Sequence, residues 1–207
     1  MSKDKVYGIG INDVPNGSVE YPTAYWSWVH KLERGYSPNF HKKSPTYKGV
    51  SVHVDWWYFS TYLKWWLVNS VTGYDADKDI LVPGNQVYSS ATVRYVPPYL
   101  NALLTDRRNA RGACPLGVDF HRQSKKYRAR CNQMLVNGTS KLVHLGYFKT
   151  EELAHEAWQK GKIVAIENAI KLYRNEPMPL REIIAALKLR IRKLRNDIRK
   201  KRITVKL

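Results

Sequence analysis

Six of the seven tryptophans, Trp26, Trp28, Trp56, Trp57, Trp65 and Trp66, fall in the first third of the 207-residue chain, while the positive charge falls almost wholly behind them. Residues 1–100 hold 10 Lys+Arg against 8 Asp+Glu, residues 101–150 hold 10 against 2, and residues 151–207 hold 15 against 7. A nearly neutral, aromatic front half can bury a core of its own. The back half must keep its cations in solvent or against a polyanion, so this distribution predicts a packed head followed by basic binding elements. A formal net charge of +18 argues against an ordinary neutral metabolic enzyme and favours nucleic acid as the partner. Two cysteines, Cys114 and Cys131, are too few for a disulfide framework, and no Cys/His cluster has zinc spacing. No apolar run nears the roughly 18 residues of a membrane span, and the start, Met1-Ser2-Lys3-Asp4-Lys5, lacks the apolar stretch of a secretion signal. These features predict a soluble, intracellular, reduced protein with no membrane partner.

Along the front half, residues 1–24 carry glycines and prolines with little periodicity and read as an irregular arm. Trp26, Val29, His30 and Leu32 mark one face of a short helix from Tyr25, Pro38 to Gly49 reads as a polar loop, and Val50 to Val54 alternates like a strand. Trp56 to Val68 has a helix-like aromatic pattern, which predicts core packing, with base stacking by Trp56 or Trp66 as the alternative. Asp75, Asp77 and Asp79 alternate ahead of Ile80-Leu81-Val82, and Pro83-Gly84-Asn85 is a turn signal. Thr92 to Val96 is a second extended run, and Pro97-Pro98 opens a helix ending near Thr105-Asp106. Strand, turn, strand and helix give the outline of a ββα unit.

Behind a basic linker from Arg107 to Pro115, residues 117–148 read as three short strands with a turn at Asn137-Gly138-Thr139. Period-2 alternation places Val118 and Phe120, then Tyr127, Ala129 and Cys131, on the inner face, and Arg128, Arg130 and Asn132 on the solvent face. Arg forks suit guanine edges and phosphates, and Asn suits adenine. Thr150-Glu151-Glu152 caps a helix through Ala154, Ala157, Trp158 and Ile163, and Glu176-Pro177-Met178-Pro179 ends it. A final helix spaces Leu180, Ile183, Ile184, Leu187, Ile191, Leu194 and Ile198 by threes and fours, for packing on the body or on a second copy. Nine Lys+Arg lie among residues 188–202 against Asp197 alone, which predicts phosphate contacts by Arg192, Arg195 and Arg199. Charge alone does not distinguish DNA from RNA.

Gly117-Val118, Lys126 to Arg130, His144 to Ala154 and Ala157-Trp158 closely resemble the ethylene-response-factor type DNA-binding domain over residues 116–160. That resemblance implies a three-stranded sheet on one helix, with the sheet reading the major groove through Lys126, Arg128, Arg130, Asn132 and His144. The plant members carry more Arg and Trp on the first strand, where this chain has Asp119, His121 and Arg122. His121 and Arg122 are therefore counted as DNA-facing candidates, and the plant sequence preference is not transferred.

The same kind of domain follows HNH-like endonucleases in tailed phages. The front half is similar to them at Tyr7 to Asp13, Tyr25-Trp26, Pro45 to Val50, Trp57-Tyr58-Phe59, Asp77 to Val82, Gly84-Asn85 and Tyr88-Ser89. The resemblance implies an α+β protein with a ββα-metal head at 1–106, a linker at 107–115, the sheet-and-helix module at 116–160 and a basic helical tail at 161–207. It implies a homing-type nuclease that cuts or nicks double-stranded DNA in the host cytoplasm with a divalent metal, Mg²⁺ by preference. Asp77 and Asn101 match the metal ligands, and Thr92 stands where the family's central Asn ties the hairpin together. Lys78 occupies the place of the His base, and Asp79 completes the Asp-Lys-Asp triplet counted with the catalytic residues. Lys78 must lose a proton before it can act as a base; His53 and His41 are the nearest other imidazoles in sequence. Outside the resemblance, Asp77 and Asp79 read as a solvated acidic turn. The alternative function is a DNA-binding or ribonucleoprotein component that has lost its chemistry.

Overall fold

The computed structural model describes residues 5–104, 113–134 and 139–207. The start of the chain, the helix end at Thr105-Asp106, the linker to Gly112 and the turn at Asn137-Gly138 lie outside the described residues. The architecture is mixed α+β, and the chain divides into two compact units, Met1–Val96 and Pro97–Leu207. No helix among the described residues is long and apolar enough to cross a membrane.

The first unit is built on its aromatics. Helix α1 spans Gly17–Glu20 and α2 spans Pro22–Tyr36, with proline at the first position of α2, where a missing N–H costs nothing. Its buried face runs through Ala24, Trp28, Lys31, Leu32 and Gly35. Trp26, expected on the core side, is instead 56% exposed, because two residues along a helix turn a side chain by roughly 200°. Strand β1 (Ser51–Val52) is shorter than expected, and a 3₁₀ turn (Val54–Trp57) leads into α4 (Phe59–Asn69). Trp28, Trp56, Phe59 and Tyr62 are fully enclosed, and the Trp28 indole donates to the Trp56 carbonyl at 2.7 Å, so burial leaves that N–H satisfied. Trp56 is thus core, and Trp66 packs half-buried against the same cluster.

Two stretches expected to be irregular are ordered by tertiary contact. The N-terminal arm lies on the core: Ile11 N donates to Trp57 O, Phe59 N donates to Ile11 O, and Gly10 sits so close to Trp28 and Leu32 that a Cβ would clash with both. The polar stretch after Ser37 contains helix α3 (Pro38–Lys43), capped by the Ser37 side chain accepting from Phe40 N. Strand β3 (Val87–Tyr88) pairs in parallel with β1, and β2 (Asp75–Asp77) pairs antiparallel with β4 (Arg94–Val96).

A lysine side chain is buried in this unit. Lys31 Nζ donates to Ser27 O, Ser27 Oγ and Tyr62 Oη at 3.1, 3.0 and 2.9 Å, with no carboxylate partner among the described residues. Burial, reinforced by Arg34, lowers its pKa to about 7. Between that value and the ordinary lysine range the unfolded chain binds the extra proton, so stability rises with pH. Burial also pushes Tyr62 well above the usual phenol range and Tyr88 to about 12, so above about pH 10 unfolding releases protons and stability falls. Denaturant unfolding is therefore expected to show stability climbing from pH 7 to a maximum before pH 10. Lys31→Met should flatten the climb, and an unchanged profile in that variant would show that Lys31 is not its source.

In the second unit α5 (Pro98–Leu104) precedes an antiparallel sheet, β5 (Val118–His121), β6 (Lys126–Met134) and β7 (Ser140–Phe148), in the order β5-β6-β7. Helix α6 (Glu151–Tyr173) covers the inner face, capped by Thr150 Oγ1 accepting from Leu153 N at 3.3 Å. Val118, Ala129 and Ala154 form the centre of this packing, with Tyr127, Leu145, Phe148 and Ala157 around them. Phe120 is on the inner face beside Tyr127 but stays 48% exposed. Residue 160, where the sequence pattern ends the second module, lies inside the unbroken α6.

The basic tail folds back as α7 (Arg181–Arg199). Its apolar stripe, Ile183, Ala186, Leu187, Ile191 and Leu194, is buried as α7 packs on α6. The chain end is anchored too. His155 Nδ1 meets the Leu116 carbonyl at 3.0 Å and Nε2 accepts from Thr204 N at 2.9 Å, which fixes the Nδ1–H tautomer. Gln159 donates to Arg202 O and Thr204 Oγ1, and Asp197 Oδ2 accepts from Lys193 and Thr204. Truncation at residue 188 would remove part of this core along with the charge.

Candidate active site and nucleic-acid interface

Residues 78–93, which include β3, connect the two strands of the β2–β4 pair, in which Asp77 stands opposite Arg94. Asp77 Oδ1 accepts from the backbone N–H groups of Asp79 and Ile80 at 2.6 and 2.9 Å, a turn closed by its own side chain. Partial burial pushes the Asp77 carboxyl above its usual range, against the pull of those N–H groups and with the Asp79 charge adding to the rise. Its Oδ2 carries no hydrogen bond among the described residues. Lys78 Nζ donates to Asp79 Oδ2 at 2.6 Å and to Asn85 O at 2.7 Å and lies over the Tyr88 ring.

The tie across this loop is Asn85, which sequence reading placed only in a turn. Its Nδ2 donates to Lys78 O at 3.0 Å and to Val87 O at 2.6 Å, and its Oδ1 accepts from Val87 N at 3.1 Å. Thr92 braces a narrower span, donating to Val87 O and meeting Ser89 Oγ at 2.9 Å. The Pro83-Gly84-Asn85 signal gave the position of Asn85 but not its three bonds, which depend on the return of the chain at Val87.

The spare imidazoles are engaged elsewhere. His41 Nε2 donates to Arg34 O at 2.8 Å, and His53 Nδ1 caps the following 3₁₀ turn beside Asp55. The His53 backbone N–H donates to Tyr88 O, which sets this residue beside β3. Asn101 is on α5, in the second unit. No group of three or more His, Cys, Asp or Glu side chains suited to a metal occurs among the described residues.

The second candidate site is the outer face of β5–β7. Register sets Asp119 beside Arg128, His121 beside Lys126, Arg130 beside His144 and Arg128 beside Tyr147. A bulge at Ala129/Arg130 shifts the pairing by one residue on β7. This leaves Leu145 on the core and turns His144 outward, although it lies three residues from the outward Tyr147. Gly146, with φ 134°, occupies the shift. Asn132 and Lys126 are exposed on this face, and Arg122 is exposed in the β5–β6 turn. His121 Nδ1 meets Ser124 Oγ at 2.9 Å, closing that turn, and its ring packs near Tyr147. Arg192, Arg195 and Arg199 lie exposed on α7; Arg195 pairs with Glu167 at 2.8 Å and Arg199 donates to Asn196 Oδ1.

Asp119 has a function here that strand alternation alone did not reveal. Its Oδ2 takes Arg128 Nη2 at 2.7 Å, and its Oδ1 takes Arg130 Nη2 at 2.9 Å. Partial burial opposes ionisation, but the two guanidinium groups hold the carboxyl below its usual range. One carboxylate thus fixes the orientation of two Arg forks and cancels one of their charges. Asp119→Asn is expected to raise affinity for random duplex by roughly fivefold, from one added net positive charge, while narrowing the preference for a chosen site. Binding titrations against specific and random duplexes check this; an equal gain on both would contradict a positioning role. No family model, curated protein or solved structure matches the chain.

Proposed function

We propose that the chain is a divalent-metal-dependent, HNH-type DNA endonuclease whose second unit grips double-stranded DNA with the outer face of β5–β7. The main support is that one-sided sheet: Lys126, Arg128, Arg130 and His144 share a face, with two Arg forks held by Asp119. Pre-oriented guanidinium groups on a sheet suit bidentate readout in a major groove. On this reading the reaction takes place in the cytoplasm of a host cell, as the resemblance to phage enzymes implies.

The Asp77 loop supplies the chemistry in this reading. A partly buried carboxylate with one oxygen bonded by backbone N–H groups is a hard oxygen donor that fits Mg²⁺. When bound, the cation would stabilise negative charge on the phosphate oxygens. Lys78, with its ammonium held by Asp79 and Asn85, is suited to neutralising phosphate charge. It would need to release those bonds and its proton to serve as a base.

That same pinning of Lys78 favours a second reading, a protein that binds DNA without cutting it. Either way, Arg128→Ala and Arg130→Ala should each cost about 1–3 kcal/mol on a specific site and much less on random duplex. Selection of bound duplexes from a random pool provides the site, and competition titration measures the loss. Equal small losses on both duplexes would mean that these residues touch phosphates only.

A further inference from the structure

Among the described residues, the second unit carries a cationic surface besides the sheet. It is a groove of about 480 Å³ between α6 and α7. Ile170 and Ile191 line it together with Lys171, Arg174, Lys188, Arg192 and Arg195, and Glu167 is its one acid. Glu167 is spent on Arg195. Lys171, Arg174, Lys188 and Arg192 have no ion pair among the described residues, so the fold holds like charges together with nothing to offset them. Such a single-sign cleft raises the local concentration of a polyanion.

Its position matters more than its charge. At 3.6 residues per turn, Ala154, Ala157, Trp158 and Gly161 occupy an arc of α6 about 100° wide. They are the residues that meet the sheet: Ala154 and Ala157 in the shared core, Trp158 under Gly117, and Gly161 against Leu145 and Cys131. Glu167, Ile170, Lys171 and Arg174 are centred roughly 140° away around the same helix. The groove therefore opens nearly opposite to the outer face of β5–β7, with the thickness of a sheet and a helix between them. One straight duplex cannot lie on both. On α7, Lys188, Arg192, Arg195 and Arg199 recur at intervals of four, three and four, a row about 16 Å long. Repeating phosphates along a strand fit such a row better than a compact anion does, since DNA offers a charge every ~3.4 Å per strand.

We propose that the α6–α7 groove is a second double-stranded DNA site, and that the protein bridges two duplex segments, one on the sheet and one in the groove. This rests on the DNA-binding reading of the sheet. The groove makes no base-specific contact in this scheme, so the second segment is bound without regard to sequence and with strong salt dependence.

The test uses the full chain with a chelator present, a biotinylated duplex carrying the preferred site on beads, and a fluorescent random duplex in solution. The wild type is expected to carry the fluorescent duplex onto the beads. Lys188→Glu/Arg192→Glu on α7, and separately Lys171→Glu/Arg174→Glu on α6, should cut that capture by roughly ten- to thirtyfold, as loss of two phosphate contacts implies. Lys171→Glu/Arg174→Glu should leave binding of the single biotinylated duplex within about threefold, because the sheet is untouched. All four side chains are at the surface or partly so, and unchanged circular dichroism establishes folding. If the wild type binds one duplex but captures no second, or if the groove variants bridge as well as the wild type does, the inference is overturned while the sheet reading stands. Bridging by paired copies through two sheets would give the latter result. Capture of labelled RNA but not of a second DNA duplex also overturns it. Failure of the wild type to bind any duplex overturns the DNA-binding reading itself.

Discussion

Gly117→Ala is expected to disrupt the second unit. Gly117 has φ 74°, and a Cβ there would stand 1.7 Å from Trp158 Cδ1 and 2.2 Å from Cγ. The indole cannot step aside easily. It is 6% exposed and stacks on His155, whose ring is held between Leu116 O and Thr204 N. Gly117 O also accepts from Arg130 N, so a shift of the glycine would pull on the strand that carries both Arg forks. A left-handed backbone for alanine and an overpacked core together cost about 2–5 kcal/mol. Thermal unfolding followed by circular dichroism should show a transition lowered by roughly 10 °C or more, with duplex binding weakened alongside. A shift of less than about 2 °C would mean that Trp158 has room the packing does not show.

This glycine also shows where sequence reading works and where it stops. Strands β5 to β7 and helix α6 were legible, because alternation from Val118 to Phe148 and the Thr150 cap are local signals that the fold keeps. The α7 stripe was legible as well, and its packing partner within the chain is α6. The bulge that turns His144 outward was not, since a one-residue change of register leaves no mark on composition. Helix α3 was missed because its six residues carry no apolar periodicity and depend on Ser37 and Pro38. The N-terminal arm was missed because its order comes from contacts with Trp28, Leu32, Trp57 and Phe59, far along the chain.

The candidate sites divide in the same way. Arg128, Arg130 and Asn132 follow from period 2, but the joint hold of Asp119 on two of them requires the β5–β6 register. In the loop, the apolar run Ile80-Leu81-Val82 suggested a strand. The structure puts β2 earlier, at Asp75–Asp77, and buries Ile80 within the loop. Asn85 closes that loop by contacts across seven residues, which no turn propensity encodes.

Asp77→Ala is expected to abolish cleavage while sparing DNA binding. Removing the carboxylate deletes the proposed metal ligand and also the acceptor for Asp79 N and Ile80 N. Asp77→Asn, which keeps an oxygen acceptor, separates the two effects. It should restore the turn but not the activity, because a neutral amide oxygen binds Mg²⁺ far more weakly than a carboxylate does. Loss in turnover should reach about 10²-fold or more in both variants, with duplex affinity within about twofold of the wild type. The most direct measurement is incubation of the wild type and Asp77→Asn with duplex DNA carrying the selected site, with Mg²⁺ and with chelator, followed by end mapping. Defined ends near that site, produced only by the wild type and only with the metal, are the expected result. Tight binding by the wild type with no new ends under Mg²⁺, Mn²⁺ or Ni²⁺ would contradict the nuclease and leave a protein that binds DNA without cutting it.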